Sequence, residues 1–293
     1  MSLEVGGRSL SVSNRDKVFW PRTGFTKGQL IDYYQAVAEV MVPHLAGRPI
    51  TLRRWPDGVE GQTFFQKNAP RHPEWMETVR LGDVDYLRID EPAALVWAAN
   101  LAAIEIHPGL APAPHLDRPS AVVFDLDPGP PADIITCCRV ALILRRYLDR
   151  LGLRAWPKTS GSKGLQLYVP LNSDTSYDST HPFGLALAHL AESEHPDLVV
   201  SVIDRSQRRK KVLIDWAQNA PTRTTVAVYS MRARERPSVS TPVTWDEVEA
   251  AADHGDAGAL RFGPEEVLAR VAERGDLMAP VLEVRQELPP VRT

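Results

Sequence analysis

The chain has 293 residues, of which 43% are hydrophobic and 24% charged, enough apolar material for one large core or two smaller ones. This composition, without an apolar run of about eighteen residues, excludes an intrinsically disordered chain and a transmembrane helix. No basic stretch followed by an apolar one opens the sequence, so no secretory signal is predicted and a cytosolic location is expected. The only two cysteines, Cys137 and Cys138, are adjacent, which argues against a disulfide and a zinc cluster.

The net charge of −3 hides a segregation of charge along the chain. Residues 204–236 carry nine Lys/Arg and three Asp/Glu, a local charge of +6. Residues 246–293 carry eleven acidic and five basic residues, a local charge of −6. A basic strip of this kind favours a nucleic-acid partner, and the alternative interpretation is a solvated loop.

Apolar side chains at helical spacing predict six helices, the first of them after Thr26, whose hydroxyl suits an N-cap. The predicted helices span residues 27–45, 93–104, 132–152, 181–195, 245–252 and 264–274. The predicted strands span residues 49–56, 63–68, 121–124, 154–158, 165–171, 199–203 and 211–218, and the apolar segment 224–232 follows them. With no internal repeat or low-complexity linker, the pattern predicts one α+β domain over residues 1–293, with central β-sheets flanked by helices and two intimately joined lobes.

Two aspartates at the end of a predicted strand are the first candidates for chemistry. Because side chains alternate across a strand, Asp125 and Asp127 are expected on one face, with Leu126 pointing into the core. Asp215 closes another apolar strand and is the candidate third carboxylate. Oxygen ligands of this kind suit Mg²⁺ or Mn²⁺. The alternative for Asp127 is an Asx cap on the turn that follows it.

The segment TSGSKG at 159–164 lies between two predicted strands and is typical of a phosphate-binding loop. Its glycines let the backbone approach an anion, while Lys163 and the hydroxyl groups can bind it. The spacing is not that of a Walker A motif, and a simple hairpin turn is the alternative. Together with the carboxylates and the basic strip, the loop predicts phosphoryl or nucleotidyl transfer on a nucleic acid.

Nine short motifs, in the same order, resemble the polymerase domain of bacterial ligase D. They are NRDKV (14–18), GFTK (24–27), GRP (47–49), RWPDG (54–58), FFQK (64–67), EIH (105–107), FDLDPG (124–129), TSGSKGL (159–165) and DWAQN (215–219). That domain belongs to the archaeo-eukaryotic primase superfamily and works in Ku-dependent non-homologous end joining. The resemblance runs from about residue 10 to about residue 285 and implies a primase-polymerase fold.

The resemblance also implies a role for each matching residue. Asp125, Asp127 and Asp215 would bind two catalytic cations, Mn²⁺ or Mg²⁺. The implied nucleotide-binding residues are Arg53, His107, Thr159, Ser160, Lys163, Gln166, Gln218 and Arg232. The implied DNA-binding residues are Asn14, Lys17 and Lys27 at a 5′-phosphate, Phe64 and Phe65 stacked at the gap, and Arg208 in a mobile basic loop near the template and primer end.

Taken singly, these residues have other interpretations. His107 suits a hydrogen-bonded core position, Phe64 and Phe65 suit strand core, and the lysines near the first helix suit solvent. The chain also departs from the family at Gln166, where the family has histidine. Glutamine can hydrogen-bond a phosphate but carries no positive charge.

The implied function is template-dependent addition of NTP or dNTP to 3′ ends in gapped or broken DNA with a 5′-phosphate, with ribonucleotides preferred. The implied partners are Ku and an ATP-dependent DNA ligase, without a membrane, in the bacterial cytoplasm and nucleoid. The sequence contains no recognisable ligase or phosphoesterase segment. The chain is therefore expected to be either an excised domain or a free-standing polymerase, and its role to be either end joining or gap filling in excision repair. The alternatives are a non-catalytic DNA-end or gap-binding module and a metal-dependent phosphodiesterase.

Overall fold

A computed structural model describes residues 1–289 of the chain. The predicted domain and its acidic segment extend to Thr293, so their last four residues lie outside the described residues. The side chain of Arg205, in the predicted basic strip, also lies outside them. Within the described range, no helix combines the length and the hydropathy needed to cross a membrane.

The described chain contains both helices and strands. The helices are α1 (Lys27–Met41), α2 (Pro92–Asn100), α3 (Ile134–Arg150), α4 (Tyr177–Glu194), α5 (Trp245–His254), α6 (Pro264–Arg274) and α7 (Ala279–Glu283). The strands are β1 (Ser2–Val5), β2 (Arg8–Ser11), β3 (Val18–Trp20), β4 (Phe25–Thr26), β5 (Ile50–Arg54), β6 (Phe64–Gln66), β7 (Thr78–Leu81), β8 (Val84–Leu87), β9 (Ala103–Pro108), β10 (Ala121–Pro128), β11 (Trp156–Thr159), β12 (Leu165–Pro170), β13 (Val199–Val200), β14 (Val212–Asp215), β15 (Met231–Arg232) and β16 (Ser238–Val239). The α+β class predicted from the sequence is confirmed.

Local sequence sets the start of two predicted helices. The Thr26 hydroxyl accepts a hydrogen bond from the Gln29 amide at 3.2 Å, and the Gln29 side chain accepts one from the Thr26 amide at 2.8 Å. Thr244 and Glu247 form the same reciprocal pair at the start of α5. Each pair satisfies two backbone donors that a helix leaves unpaired, so α1 and α5 begin where the sequence predicted.

The predicted helix over 93–104 is wrong at its C-terminal end. Helix α2 stops at Asn100, Ala102 has a φ of 63°, and the chain then forms β9. Strand β9 pairs with β5 in antiparallel register, including Arg53 opposite Glu105. The ladder of hydrogen bonds to β5 outweighs the helix propensity of the alanines.

Two predicted strands are too long, and one helix begins earlier than predicted. Strand β13 contains only Val199–Val200, and Val202 and Ile203 beyond it are 45% and 49% exposed. Strand β14 ends at Asp215, whose carboxylate caps the following 3₁₀ turn. Helix α4 starts at Tyr177 instead of near residue 181. The missing pairing partners end the strands, which periodicity alone does not reveal.

Contacts between Cα atoms divide the chain into two compact units. The first unit comprises residues 1–114, 224–240 and 262–276, and the second comprises 115–223, 241–261 and the chain from 277 onward. In the first unit, β5 is the centre of a five-stranded sheet and pairs antiparallel with β6, β8 and β9. Helices α1 and α2 pack on each other, and the buried Tyr34 hydroxyl of α1 donates to the Ile104 carbonyl of β9 at 2.7 Å.

The second unit contains a five-stranded sheet in the order β11-β12-β10-β14-β13. Strand β10 lies in the middle and is antiparallel to both β12 and β14. Leu126 in β10 is fully buried, whereas Asp125 and Asp127 on either side of it are partly exposed. Alternation therefore puts the two carboxylates together on the face opposite to Leu126, as the sequence predicted.

Candidate active site

The three predicted carboxylates come together on the sheet of the second unit. Asp125 in β10 lies directly opposite Asp215 in β14, and Asp127 follows two residues along the same face. Side chains of directly opposed residues in neighbouring strands stand on the same side with Cβ atoms about 4.5–5.5 Å apart. The pairing joins residues ninety positions apart into one acidic group.

Ionisation of all three carboxylates in this acidic group is electrostatically unfavourable. Burial, together with the charges of Asp215 and Asp127, raises the pKa of Asp125 from its usual 3.8 to about 6. A hydrogen bond from Gln166 and the charge of Lys158 act in the opposite direction. Carboxylates that disfavour one another's charge form a site that a divalent cation would stabilise.

Cationic and amide groups contact the other two carboxylates. Asp127 lies 3.3 Å from the Lys163 ammonium and 3.2 Å from the Arg208 guanidinium. Asp215 accepts hydrogen bonds from the Ala217 amide at 3.1 Å and the Gln218 side chain at 2.9 Å. In this arrangement no three His, Cys, Asp or Glu side chains of residues 1–289 converge on one point as a formed metal site. The donor set itself, three carboxylates, is the one that hard cations prefer.

The 159–164 loop has a fixed shape. The Ser160 hydroxyl accepts hydrogen bonds from the amides of Gly164 at 3.1 Å and Ser162 at 3.3 Å, and Gly161 has a φ of +66°. A Cβ on Gly164 would collide with the Leu126 carbonyl of β10, so only glycine allows this approach. The loop thereby holds Lys163 beside Asp127.

Thr159 lies at the loop's start and contributes to the fold. It is buried, its amide donates to the Thr241 carbonyl at 2.8 Å, and its hydroxyl accepts from the Thr241 amide at 3.1 Å. The structure therefore places the predicted nucleotide-binding side chain of Thr159 in a backbone-pairing role at the edge of the sheet.

Arg208 lies on the carboxylate group, a contact that the sequence did not predict. The resemblance implied a position in a mobile basic loop near template and primer. In the structure the Arg208 guanidinium pairs with Asp127 and donates to the Ile203 carbonyl at 2.6 Å. The Gly129 amide donates to the Lys211 carbonyl at 2.8 Å, which attaches the basic loop to the end of β10. A basic side chain from the +6 segment thus neutralises a predicted metal ligand.

In the first unit, a buried carboxylate gathers three of the predicted nucleotide-binding residues. Glu105 in β9 lies 3.0 Å from His107 Nε2, 3.1 Å from Arg232 Nε and 3.5 Å from Arg53 Nη1. The Ala233 amide also donates to it, at 3.3 Å. Two guanidinium groups against one carboxylate leave an excess of positive charge, which suits an anionic ligand.

The pKa values of this cluster follow from burial and charge. Burial by itself would raise the pKa of Glu105, but the hydrogen bond with His107 and the charges of Arg232 and Arg53 outweigh it and hold the pKa at about 2. Burial lowers the pKa of His107, against the opposing effect of Glu105, and the two arginines lower it further. Glu105 is therefore ionised at neutral pH, and the cluster's charge comes from its arginines.

Two exposed aromatic rings lie beside this cluster. Phe64 and Phe65 in β6 are 45% and 58% exposed, so the alternative of strand core is wrong. The Arg54 guanidinium lies 5.3 Å from the Phe64 ring centre, and that of Arg53 lies 5.0 Å from the Phe65 ring centre. Exposed aromatic faces flanked by arginine are typical of surfaces that stack nucleic-acid bases.

The residues predicted to bind a 5′-phosphate also lie together in the first unit. The Asn14 carbonyl accepts from the Lys17 amide at 3.1 Å, and the Lys17 carbonyl accepts from the Lys27 amide at 2.8 Å. Lys27 is buried and its ammonium donates to the Ser13 carbonyl at 2.8 Å. Burial lowers the pKa of Lys27, and the charges of Lys17 and Arg54 add to that effect, which identifies a locally positive region.

Comparison with known proteins identifies the family of this chain. The model of the family described as "LigD, primase-polymerase domain" matches residues 26–278. This chain belongs to the LigD primase-polymerase family. Similar LigD proteins include the multifunctional non-homologous end joining protein LigD of Mycolicibacterium smegmatis, 42% identical over 277 residues, and the bifunctional non-homologous end joining protein LigD of Bacillus subtilis, 31% identical over 244 residues. These matches cover 92% and 83% of this chain but only 36% and 40% of the relatives, so the chain spans well under half of their length.

A solved structure agrees with the LigD assignment over almost the whole chain. It is described as the polymerase domain from Mycobacterium tuberculosis Ligase D in complex with DNA, and it is 38% identical with a TM-score of 0.86. The match covers 94% of this chain and 99% of that one. The predicted resemblance to the ligase D polymerase domain is confirmed.

Sequence reasoning did not single out two residues of this LigD chain that the structure places at its candidate sites. Glu105 lies at the centre of the basic cluster, and Lys158 is fully buried beside Gln166. Glu105 directly follows the predicted apolar helix over 93–104, and Lys158 ends the predicted strand over 154–158. A charge next to a buried segment is the signal that could have found them, because a buried charge needs partners.

Proposed function

We propose that this chain is a template-dependent nucleotidyltransferase that fills short gaps and extends 3′ ends at DNA breaks. One observation carries the proposal, namely the cross-strand group of Asp125, Asp127 and Asp215 on one face of the sheet. Its family, described as a primase-polymerase domain, supports the same reaction class.

The carboxylate group fits two divalent cations, Mn²⁺ or Mg²⁺. Three oxygen-donor side chains with unfavourable mutual charge match the preference of hard cations. Cations held there would lower the pKa of the primer 3′-hydroxyl and would offset the negative charge of the triphosphate and the leaving pyrophosphate. Asp125, Asp127 and Asp215 are the residues that would hold them.

Other side chains of the chain bind and orient the substrates. Lys163 and Arg208, both beside Asp127, supply positive charge where negative charge grows during phosphoryl transfer. Gln218 donates to Asp215 and fixes its orientation. We assign the cluster around Glu105 to the triphosphate, because its paired guanidinium groups are prearranged for an anion.

DNA binding is assigned to residues of the first unit. Lys17 and Lys27 provide positive charge for a terminal 5′-phosphate, which carries more charge than an internal diester. Phe64 and Phe65 offer open faces for stacking at the gap. The solved relative in complex with DNA supports a DNA substrate.

Primer extension on a gapped duplex tests the reaction. The purified chain is incubated with Mn²⁺ or Mg²⁺ and nucleotides, and product lengths are read on a gel while DNA binding is measured separately. We expect extension by the unmodified chain, no extension by Asp127→Ala, and normal extension by Asp174→Asn, a control that changes an exposed carboxylate of the same unit. Binding without extension would indicate a gap-binding module, and shortened DNA would indicate a phosphodiesterase; either result overturns the proposal.

We further propose that ribonucleotides are preferred. A site that hydrogen-bonds the 2′-hydroxyl gains about 0.5–1.5 kcal/mol from it, a preference of about two- to thirteen-fold. Competition between ATP and dATP opposite template T measures this ratio. A preference for dATP would refute the sugar assignment and leave the carboxylate assignment unchanged.

The cellular setting is proposed from the relatives' names. They are non-homologous end joining proteins, and we propose end joining for this chain, with Ku and an ATP-dependent DNA ligase as partners. Extension is measured with and without Ku, on a two-ended break and on a simple gap. Stimulation by Ku on the two-ended break would indicate end joining and not excision-repair gap filling. Equal extension with and without Ku would favour gap filling.

A further inference from the structure

A row of four polar side chains crosses the sheet of the second unit. Lys158 in β11 lies opposite Gln166 in β12, and Gln166 lies opposite Asp125 in β10. Asp125 in turn lies opposite Asp215 in β14. Directly opposed residues share one face of a sheet, so the row runs from an ammonium group through an amide to two carboxylates. Lys158 is 0% exposed and Gln166 is 2% exposed.

The chemistry of the row fixes the orientation of the Gln166 amide. The Lys158 ammonium donates to Gln166 Oε1 at 2.5 Å. An ammonium group has three donors and no acceptor, so only the amide oxygen can face it. The amide nitrogen must then face the other way, where Gln166 hydrogen-bonds the Asp125 carboxylate. Without a donor at Lys158, the amide could turn its oxygen toward the carboxylate and repel it.

We propose that Lys158 and Gln166 are positioning residues for Asp125: Lys158 sets the orientation of the Gln166 amide, and that amide holds the carboxylate in place for a divalent cation. The inference deepens the proposed function and rests on it, since it takes Asp125 as a metal ligand. It changes the role of Gln166. An amide nitrogen committed to Asp125 is not free to bind a phosphate of the nucleotide.

The pairing of Lys158 with Gln166 also provides a positive charge close to a position where Gln166 itself has none. A glutamine cannot supply the positive charge that a histidine can carry at this position. Lys158 supplies one buried positive charge, one strand further from Asp125 than Gln166. It acts on Asp125 through the Gln166 amide, whose orientation it sets. Groups that hold a metal-binding side chain in position typically change metal affinity about 10- to 100-fold when removed.

The test uses three variants with apolar side chains of similar length. They are Lys158→Met, Gln166→Met and the double variant. Each single change leaves a buried partner without its hydrogen bond, whereas the double change removes both partners and is expected to stay folded. Tyr168→Phe is the control, because Tyr168 is two residues from Gln166 on the same strand and its ring lies 5.5 Å from the Lys158 ammonium.

Two readouts separate positioning from substrate binding. Calorimetric titration of the nucleotide-free protein gives the Mn²⁺ dissociation constant, and primer extension at saturating Mn²⁺ gives KM for ATP. We expect the double variant to bind Mn²⁺ at least about tenfold more weakly, with KM for ATP changed less than about twofold. We expect Gln166→Met to match the double variant, because Lys158 acts through Gln166.

Three outcomes would overturn the inference. Unchanged Mn²⁺ affinity in the double variant with a higher KM for ATP would make Gln166 a triphosphate ligand. Additive losses in the two single variants would mean that Lys158 acts independently of Gln166. A loss of the same size in Tyr168→Phe would indicate general disruption of the strand. Failure of the proposed function looks different, since the unmodified protein would then not extend primers at all.

Discussion

Replacement of Glu105 by glutamine is expected to destabilise the protein because it removes one negative charge from a buried cluster of positive ones. Glu105 is 1% exposed, and its carboxylate contacts Arg53, His107 and Arg232. Glutamine keeps the shape of the side chain and some of its hydrogen bonds. It cannot offset the repulsion between the two guanidinium groups, which stay charged at every accessible pH.

The size of the effect follows from the pKa of Glu105. That pKa is about 2 in the folded chain against 4.5 for an unperturbed glutamate. Each pKa unit corresponds to about 1.4 kcal/mol, so ionised Glu105 contributes roughly 3 kcal/mol to the free energy of unfolding at pH 7. Because the folded pKa is depressed, this contribution is complete above about pH 5 and is lost as the pH falls toward 2. At pH 3, roughly 1.5 kcal/mol should remain.

Urea unfolding of the unmodified chain and of Glu105→Gln, at pH 7 and at pH 3, measures both values. Comparison at each pH cancels the titration of all other carboxylates. The control is Glu91→Gln, whose partner Arg8 is about one-third exposed and whose ion pair should contribute less than about 1 kcal/mol. The reasoning would be refuted if Glu105→Gln and the unmodified chain had the same free energy of unfolding at pH 7. It would also be refuted if their difference in free energy of unfolding were as large at pH 3 as at pH 7.

Three more predictions concern the loop and the DNA-binding groups. Gly164→Ala should lower the free energy of unfolding by about 1–3 kcal/mol in urea unfolding, because the new Cβ meets the Leu126 carbonyl, and an unchanged midpoint would contradict this. Lys17→Ala should erase the preference for gaps with a 5′-phosphate over a 5′-hydroxyl in titrations at fixed salt; equal affinity of the unmodified chain for both ends would contradict the pocket. Phe65→Ala should weaken binding to gapped DNA by about 1–3 kcal/mol with stability changed by less than about 0.5 kcal/mol, since the ring is 58% exposed, and full binding would contradict stacking.

Features that depend on neighbouring residues could be predicted from the sequence. The spacing of apolar residues after Thr26 predicted α1, and the alternation of Asp125, Leu126 and Asp127 predicted two carboxylates on one face. The motif order predicted the family, which the comparisons confirm. Prediction failed where a strand's extent depends on its partner, as at the end of α2, where pairing of β9 with β5 replaces the expected helix.

The sequence by itself determined the helix caps, the side-chain alternation in β10 and the family. Only the tertiary structure decided that Asp215 lies opposite Asp125, that Arg208 pairs with Asp127, and that Glu105 gathers residues from separate strands. The physical reason is the range of the interactions. Helix caps and side-chain alternation depend on residues only a few positions apart in the sequence. A buried charge can be neutralised by any partner that folding brings close, and the strand register decides which residue becomes that partner.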